Sequence, residues 1–185
     1  MAGDQKTISD TDPVILVDAD DVQIGTAGKL DAHRRGLRHR AISVLVKNGS
    51  GEFLLQQRNP AKYHSGGLWT NACCSHPLPH ESVSDAALRR LEQEMGFACP
   101  LEPLFVYHYN EPVPGGLIEN EIVHVFGGRH DGAIEPDPAE VGDFKWVRYA
   151  DMIADMRARP DAYTVWFRKY IGTHSDMLAR WLNGH

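Results

Sequence analysis

The stretch "ESVSDAALRRLEQEMG" (residues 81–96) holds the strongest helix pattern in the chain. Ser82 is followed three residues later by Asp85, which is the spacing of a capping box, and Gly96 is a typical C-terminal stop. Apolar residues recur between them at helical spacing and predict one buried stripe, which comprises Val83, Ala87, Leu88, Leu91 and Met95. The pattern therefore predicts an amphipathic helix over residues 82–95.

Two charged residues of this helix are also paired by their spacing. Arg90 and Glu94 stand at i and i+4, which makes them neighbours on the helix surface. An exposed ion pair of this kind contributes roughly 0.3–0.5 kcal/mol. We interpret the two residues as an ordinary surface salt bridge.

Strand patterns surround the helix on both sides. Residues 41–46 and 52–57 predict a hairpin across the turn-forming loop "KNGSG". Further strands are predicted at "PVILVD", "DVQIG", "LFVYHYN", "IENEIVHVFGG" and "FKWVRY", and two helical segments follow at the C-terminal end. This order predicts an α/β fold, layered as α+β, with a mixed sheet flanked by helices. We expect a polar, disordered lead-in over residues 1–13 and one compact domain over residues 14–185.

The composition excludes several classes of protein. A net charge of −6 argues against nucleic acid as the main partner, and the basic run "HRRGLRHR" (33–40) is interpreted as a solvated loop. No apolar stretch approaches the roughly 20 residues of a membrane span, and the N-terminus lacks the apolar region of a secretory signal. Three cysteines do not make a disulfide framework. We therefore expect reduced thiols, a cytoplasmic location and no membrane partner.

Some residues could carry chemistry, although each also has an ordinary structural interpretation. A strand over "ENEIVHV" puts Glu119 and Glu121 on one face, where they form either an exposed acidic surface or a metal or acid/base pair. Arg58 and Lys62 flank a loop and are either ordinary surface charges or two cations that bind an anion. By default, the adjacent Cys73 and Cys74 would fill space in the core, as would Trp166. Composition does not select among the ten histidines.

In order along the chain, several segments together resemble the type I isopentenyl-diphosphate isomerases, a family of the Nudix superfamily. These segments are "GTAGKLDAH" (25–33), "QQRNPAK" (56–62), "GGLWTNACCSHP" (66–77), "ESVSDAALRRLEQEMG" (81–96), "GGLIENE" (115–121) and "YTVWF" (163–167). The Cys-x-His run followed at the right distance by Glu-Asn-Glu is the most specific part. The resemblance implies a Nudix-like mixed sheet.

The helix shows how the chain departs from a Nudix hydrolase. The Nudix box, G-x5-E-x7-R-E-U-x-E-E-x-G-U, is matched at Glu81, Arg89, Leu91, Glu94 and Gly96. It is not matched at Ser75, Arg90, Gln93 and Phe97. Hydrolases use the box carboxylates to hold the metal ions that activate water. The loss of two of them, one to a cation, favours holding a diphosphate over cutting it.

The resemblance also implies ligands for two metal ions and for a diphosphate. A Mn²⁺ or Zn²⁺ site would be formed by His33, His39, His76, Glu119 and Glu121. A Mg²⁺ ion, which bridges to the substrate diphosphate, would be bound by Glu94 and by the backbone carbonyl of Cys74. The diphosphate itself would be held by Lys29, Arg58, Lys62 and Arg90.

The activity that the resemblance implies is the interconversion of isopentenyl and dimethylallyl diphosphate through a tertiary carbocation, in isoprenoid precursor biosynthesis. Cys74 and Glu121 match the proton-transfer pair of the family, Tyr109 matches a tyrosine that hydrogen-bonds the catalytic carboxyl, and the indole of Trp166 would stabilise the cation. We expect a monomer with a small-molecule substrate. The alternatives are a Nudix hydrolase of another diphosphate and a metal-stabilised binding module.

Overall fold

A computed structural model describes residues 12–62 and 64–184 of the chain. The predicted disordered lead-in therefore lies mostly outside the described residues. Nine strands are present in these two ranges: β1 (Pro13–Val17), β2 (Gln23–Gly28), β3 (His39–Lys47), β4 (Glu52–Arg58), β5 (Trp69–Thr70), β6 (Cys73–Ser75), β7 (Leu101–Val113), β8 (Leu117–Arg129) and β9 (Val141–Arg148). The helices there are α1 (Lys29–Arg35), α2 (Val83–Met95), α3 (Tyr149–Ala158), α4 (Val165–Thr173) and α5 (Ser175–Leu182).

Strand β3 lies at the centre of the sheet and joins its parts. It pairs in parallel with β8, from His39 opposite Glu121 to Lys47 opposite Arg129. It pairs in antiparallel fashion with β6, where Ser43 lies opposite Cys74. The predicted β3–β4 hairpin is present, but its strands diverge after a single pair, and β4 continues instead with β9 and β5. As a result, β6 and β8 lie on either side of β3.

Helices cover both faces of this mixed sheet, which confirms the predicted fold class. On β3, Ile42 and Val44 face the core beneath α2, whereas Ala41 and Leu45 face the core beneath α4 and α5. This alternation follows from the two-residue period of a strand. Three helices, not the two predicted segments, end the chain, because a turn at His174 separates α4 from α5. None of the helices described is long and apolar enough to cross a membrane.

The ends of α2 are those that the sequence predicts. The Ser82 hydroxyl accepts a hydrogen bond from the Asp85 amide at 3.1 Å and donates to the Asp85 carboxylate at 2.7 Å. Gly96 ends the helix with a φ of 73°, in the left-handed region that favours glycine. A Cβ atom at this position would also lie 2.0 Å from the carbonyl oxygen of Glu135. Only glycine fits there.

The buried face of α2 differs from the predicted stripe in one respect. Ala87, Leu91 and Met95 are buried as predicted, but Leu88 is 38% exposed and Ala86 is buried beside Ala87. The prediction for Leu88 is wrong because the buried face is rotated toward the side that carries Arg90 and Glu94. Both of those charged side chains are buried, so the apolar residues alone do not define this face.

The basic run at residues 33–40 is not the solvated loop that we predicted. It forms the end of α1, a short turn and the start of β3. Arg34, Arg35 and Arg38 are exposed, whereas His33 and His39 are buried. The interpretation was wrong because the charge of the whole run says nothing about the two imidazoles that point inward.

Candidate active site

A cavity above strand β3 collects most of the predicted site residues. Its walls include Lys29, His33, Arg58, Cys74, His76, Tyr109, Glu119, Glu121 and Trp166. Five further residues that we did not predict also line it: Ile42, Ser43, His64, Ser75 and Val123. Of the remaining predicted residues, His39 contacts Glu121 directly, whereas Lys62, Arg90 and Glu94 lie outside the lining.

The three predicted imidazoles gather around the Glu121 carboxylate. The ring centroids of His33 and His39 are 4.8 Å apart, and those of His39 and His76 are 5.0 Å apart. Oε1 of Glu121 lies 3.1 Å from Nε2 of His76 and 3.3 Å from Nε2 of His39. The ligand atoms of all four residues are within 4.8 Å of one another. The structure thus brings together side chains that are up to 88 positions apart in sequence.

Backbone carbonyls orient two of these rings. Nδ1 of His33 lies 2.7 Å from the carbonyl oxygen of Lys29, one helical turn earlier in α1, and Nδ1 of His39 lies 2.7 Å from that of Leu37. A carbonyl oxygen only accepts, so Nδ1 carries the proton in both rings. The carbonyls therefore leave Nε2 of each ring as the coordinating nitrogen, as second-sphere groups do in metal sites.

Burial keeps this cluster in the form that binds a metal. Desolvation lowers the pKa of His76 to about 3 and also lowers the pKa of His33, so both rings are neutral at neutral pH. Nε2 of His39 is buried and has no hydrogen-bond partner. Ligand atoms about 2.1 Å from an ion are about 3.0–3.4 Å from each other, which matches the separations of 3.1 and 3.3 Å seen at Glu121. A divalent metal ion fits these residues.

Tyr109 links the two carboxylates of the site. Its hydroxyl lies 2.7 Å from Oε2 of Glu119 and 2.7 Å from Oε2 of Glu121, but it has one proton to donate. Burial and the charge of Glu121 raise the pKa of Glu119 to about 8. Burial also acts to raise the pKa of Glu121, but the neighbouring His39 and His76 side chains outweigh it and hold that pKa well below its usual range. Without a bound metal ion, the carboxyl group of Glu119 is therefore protonated and that of Glu121 is ionised.

The Cys74 thiol lies in the cavity within a set of hydrogen bonds. Sγ donates to Oδ1 of Asn71 at 2.9 Å, accepts from the indole N–H of Trp166 at 3.2 Å and lies 3.2 Å from Oγ of Ser43. Burial raises the pKa of this thiol to about 12, although the hydrogen bond with Ser43 opposes the shift. Cys74 therefore keeps its proton at neutral pH and can serve as an acid.

The side chains of Cys73 and Cys74 lie on opposite faces of the sheet. Because successive side chains of β6 point to opposite faces, Cys73 lies in the core beneath α2 and Cys74 packs against the opposite core. Cys73 is fully buried and is absent from the cavity lining. All three cysteines of the chain are free thiols.

The predicted cations fall into two groups. Lys29 and Arg58 line the cavity, and the guanidinium of Arg58 lies 5.4 Å from the centre of the Trp166 ring. Lys62 and Arg90 lie outside it and share a carboxylate, since Lys62 pairs with Glu140 and Nη2 of Arg90 lies 3.4 Å from the same side chain. The structure thus places two of the predicted cations in the cavity lining and the other two outside it, at Glu140.

Arg90 and Glu94 are not the surface salt bridge that we predicted. Their N–O separation is 2.7 Å and both side chains are at least 94% buried. Glu94 also accepts a hydrogen bond from Nε2 of Gln56 at 3.0 Å. The earlier interpretation was wrong because helical spacing predicts the pairing but does not show which side of the helix faces the sheet.

Besides Ser43, three polar residues of the site region were missed from the sequence: His64, Asn71 and Glu140. His64 stands in a loop with no periodic pattern, Asn71 is an ordinary polar residue beside the Cys-x-His run, and Glu140 comes from a distant turn. Only the position of Asn71, three residues before Cys74, offered a signal.

Comparisons with known proteins agree with this architecture. A NUDIX domain matches residues 37–167. Similar folds include a crystal structure from Deinococcus radiodurans, with a TM-score of 0.67 and 18% identity over 80% of this chain and 90% of that one. Another is the MutT protein from Methanosarcina mazei, with a TM-score of 0.59 and 19% identity over 77% of this chain and 91% of that one. Fold and domain together make the chain a member of the Nudix superfamily.

Curated relatives narrow this membership to one family. The isopentenyl-diphosphate Delta-isomerase 1 of Aromatoleum aromaticum is 51% identical over 160 residues, which cover 86% of this chain and 90% of that protein. The isopentenyl-diphosphate Delta-isomerase of Burkholderia multivorans is 47% identical over 169 residues, which cover 91% of this chain and 96% of that protein. The chain belongs to the isopentenyl-diphosphate Delta-isomerase family.

Proposed function

We propose that this protein interconverts isopentenyl diphosphate and dimethylallyl diphosphate, and so supplies precursors for isoprenoid biosynthesis. The observation that carries the proposal is that the Cys74 thiol and the Glu121 carboxylate line the same cavity, where burial raises the pKa of the thiol and neighbouring histidines lower that of the carboxylate. They come from strands on opposite sides of β3. Moving a double bond by one carbon requires a proton donor at one carbon and an acceptor at another, which this pair can provide.

The two groups act in opposite senses in the two directions of the reaction. One protonates the alkene to give a tertiary carbocation, and the other removes a proton from a neighbouring carbon. A positioned acid or base contributes about 10²–10⁴-fold, which is too little for an alkene. Buried walls that exclude water must supply the rest, by positioning the five-carbon unit and by stabilising its charge.

Trp166 has two roles in this proposal. Its N–H donates to Sγ of Cys74 and fixes where the sulfur lies. Its ring lines the cavity, where an indole face beside a desolvated cation contributes about 2 kcal/mol. Tyr109 holds the carboxylate of Glu121 through a hydrogen bond of 2.7 Å, which keeps the proton acceptor in place.

The diphosphate would be bound at the cationic side of the cavity. Lys29 and Arg58 line it and would contact the phosphate oxygens directly. Lys62 and Arg90 are proposed as further diphosphate ligands, reached once a substrate draws them from Glu140. Glu94 and the backbone carbonyl of Cys74 would hold Mg²⁺, which when bound neutralises part of the diphosphate charge.

The second metal centre would lie at the histidine cluster. His33, His39, His76, Glu119 and Glu121 are proposed to hold Zn²⁺ or Mn²⁺. When bound, such an ion supplies positive charge that decides which oxygen of Glu121 carries a proton. We also propose a monomer that acts in the cytoplasm, a location supported by the three free cysteines.

The reaction products distinguish this proposal from its alternatives. Purified protein is incubated with isopentenyl diphosphate and Mg²⁺, and the products are identified by NMR. The proposal predicts dimethylallyl diphosphate with both phosphates retained. Release of phosphate or pyrophosphate without the allylic product would support a hydrolase instead. Metal-dependent melting with no turnover of any diphosphate would support a binding module.

A further inference from the structure

His64 is a buried histidine that none of the roles above uses. It lies in the loop between β4 and β5 and is 6% exposed. Its ring faces the metal cluster: Nε2 lies 3.3 Å from Oε1 of Glu119, and the ring centroid lies 5.7 Å from that of His33. Nδ1 lies 3.2 Å from Oγ of Ser65. The ring is thus held with Nε2 toward the carboxylate side of the cluster.

His64 belongs to a second compact set of possible metal ligands. The ligand atoms of His33, His64 and Glu119 lie within 4.8 Å of one another, as do those of His33, His39, His76 and Glu121. His33 is common to both sets. Its Nδ1 is bonded to the Lys29 carbonyl, so Nε2 is its only coordinating atom, and one nitrogen lone pair binds one ion. Only one ion can therefore bind His33, and Glu119, which we propose as a ligand of that ion, is in the same set as His64.

We propose that His64 is a fourth histidine ligand of this centre, bound to the same ion as His33 through Nε2. The inference rests on the metal centre of the proposed function and adds a ligand to it. Four imidazoles favour Zn²⁺ or Co²⁺ over Mn²⁺ and Mg²⁺, because borderline nitrogen ligands suit the later metals of the series. His64 would thus set which ion the protein retains.

The first test compares Zn²⁺ affinity, measured by competition with a chromophoric chelator, in the wild type and in His64→Gln. The substitution removes the imidazole but keeps a polar side chain at this position. Loss of a group that only supports a ligand weakens metal binding about 10–100-fold, so we expect loss of a direct ligand to weaken Zn²⁺ binding by about 100-fold or more. His124→Gln is the matched control, because His124 bonds Asp21 at 2.7 Å and is not among these ligand sets. Equal affinity in His64→Gln and wild type would overturn the proposal.

A second test needs no substitution and remains valid if the variant fails to fold. In the Co²⁺-loaded wild type, each histidine bound through Nε2 gives one strongly shifted Nδ1–H proton resonance. The proposal predicts four such resonances, and three would contradict it. Neither test uses substrate, so each reports on metal binding alone. If the protein binds metal through four histidines but does not isomerise isopentenyl diphosphate, the proposed function is refuted and the role of His64 is not.

Discussion

The Cys74 thiol donates a hydrogen bond to the side-chain oxygen of Asn71, with Sγ and Oδ1 2.9 Å apart. Asn71 cannot turn away, because its amide nitrogen donates to the carbonyl oxygens of Val44 and Cys73 at 2.9 and 2.6 Å. Backbone groups on two strands therefore fix the direction of the thiol proton. Asn71 is a positioning residue for Cys74.

This relationship predicts the effect of Asn71→Ala on turnover. Without the acceptor the thiol loses its fixed direction, and a lost hydrogen bond of about 1.4 kcal/mol corresponds to a tenfold lower kcat. Steady-state kinetics should show kcat reduced about tenfold or more, with KM within about twofold. Thr70→Val is the control, since the Thr70 hydroxyl also donates to Oδ1 of Asn71, at 3.0 Å, but does not touch the thiol. Equal losses in both variants would remove the positioning role.

The buried ion pair of Arg90 predicts a large loss of stability in Arg90→Leu. The substitution removes the ion-pair partner of the buried Glu94 carboxylate and one of the two cations that contact Glu140. Breaking such a pair costs about 3–5 kcal/mol, which for a chain of this size lowers Tm by about 10 °C. Arg148→Leu, which breaks an exposed pair with Asp151, should change Tm by about 3 °C or less. Comparable melting of Arg90→Leu and wild type would show that the pair is not buried.

Glu81 predicts a pH-dependent contribution to stability. Burial acts to raise its pKa, but hydrogen bonds from Arg89, at 2.6 Å each, and from the Leu78 amide outweigh it and lower the pKa below the ordinary 4.5. A depressed carboxylate pKa stabilises the fold above the unfolded value and loses that effect as the pH falls through the folded value. Glu81→Gln should therefore melt below wild type at pH 7, and the gap should close below about pH 4.5.

Thermal melting between pH 7 and pH 3 measures this gap, with Glu92→Gln as the control because Glu92 is an exposed residue of α2, the helix that Glu81 precedes. The control should follow the wild type at every pH. A gap for Glu81→Gln that stays constant down to pH 3 would show that its ionisation is not involved.

The histidine cluster predicts that stripping the metal stops turnover and lowers Tm. A ligand that binds only the folded state stabilises it by about 2.7 kcal/mol when the free ligand concentration is about 100 times Kd. For a chain of this size, that stabilisation raises Tm by about 5–10 °C. Chelator-treated protein should be inactive and should regain activity and Tm on addition of Zn²⁺ or Mn²⁺. His39→Gln should show a smaller metal-dependent rise in Tm than the wild type. Full activity of metal-stripped protein would exclude the proposed role of the ion.

Local patterns in the sequence predicted helix α2 and most of the longer strands, but not α1, β5, β6 or the third of the last helices. The cap at Ser82, the stop at Gly96 and the two-residue period around Glu119 and Glu121 are all present as predicted. Each depends on contacts within a few residues, which spacing alone determines. The face of α2 was harder to predict, because Arg90 and Glu94 neutralise each other and are buried where a pattern of apolar residues places solvent.

The assembly of the site depends on contacts that spacing does not encode. Resemblance to the family selected His33, His39 and His76 from among the ten histidines of the chain. His64 and Glu140 lie outside the segments on which the resemblance rests and have no regular period around them, and tertiary packing brings them to their partners. The residue roles that we assign to the cavity stay predictions until they are measured.

The central claim is that Cys74, and not its neighbour Cys73, transfers a proton to or from the substrate. Isopentenyl diphosphate is incubated with wild type, Cys73→Ala and Cys74→Ala in heavy water with Mg²⁺, and deuterium in the recovered diphosphates is followed by NMR and mass spectrometry. We predict deuterated dimethylallyl diphosphate, without phosphate release, from the wild type and from Cys73→Ala. Cys74→Ala should give none. Normal deuterium incorporation by Cys74→Ala together with an inactive Cys73→Ala would contradict the assignment.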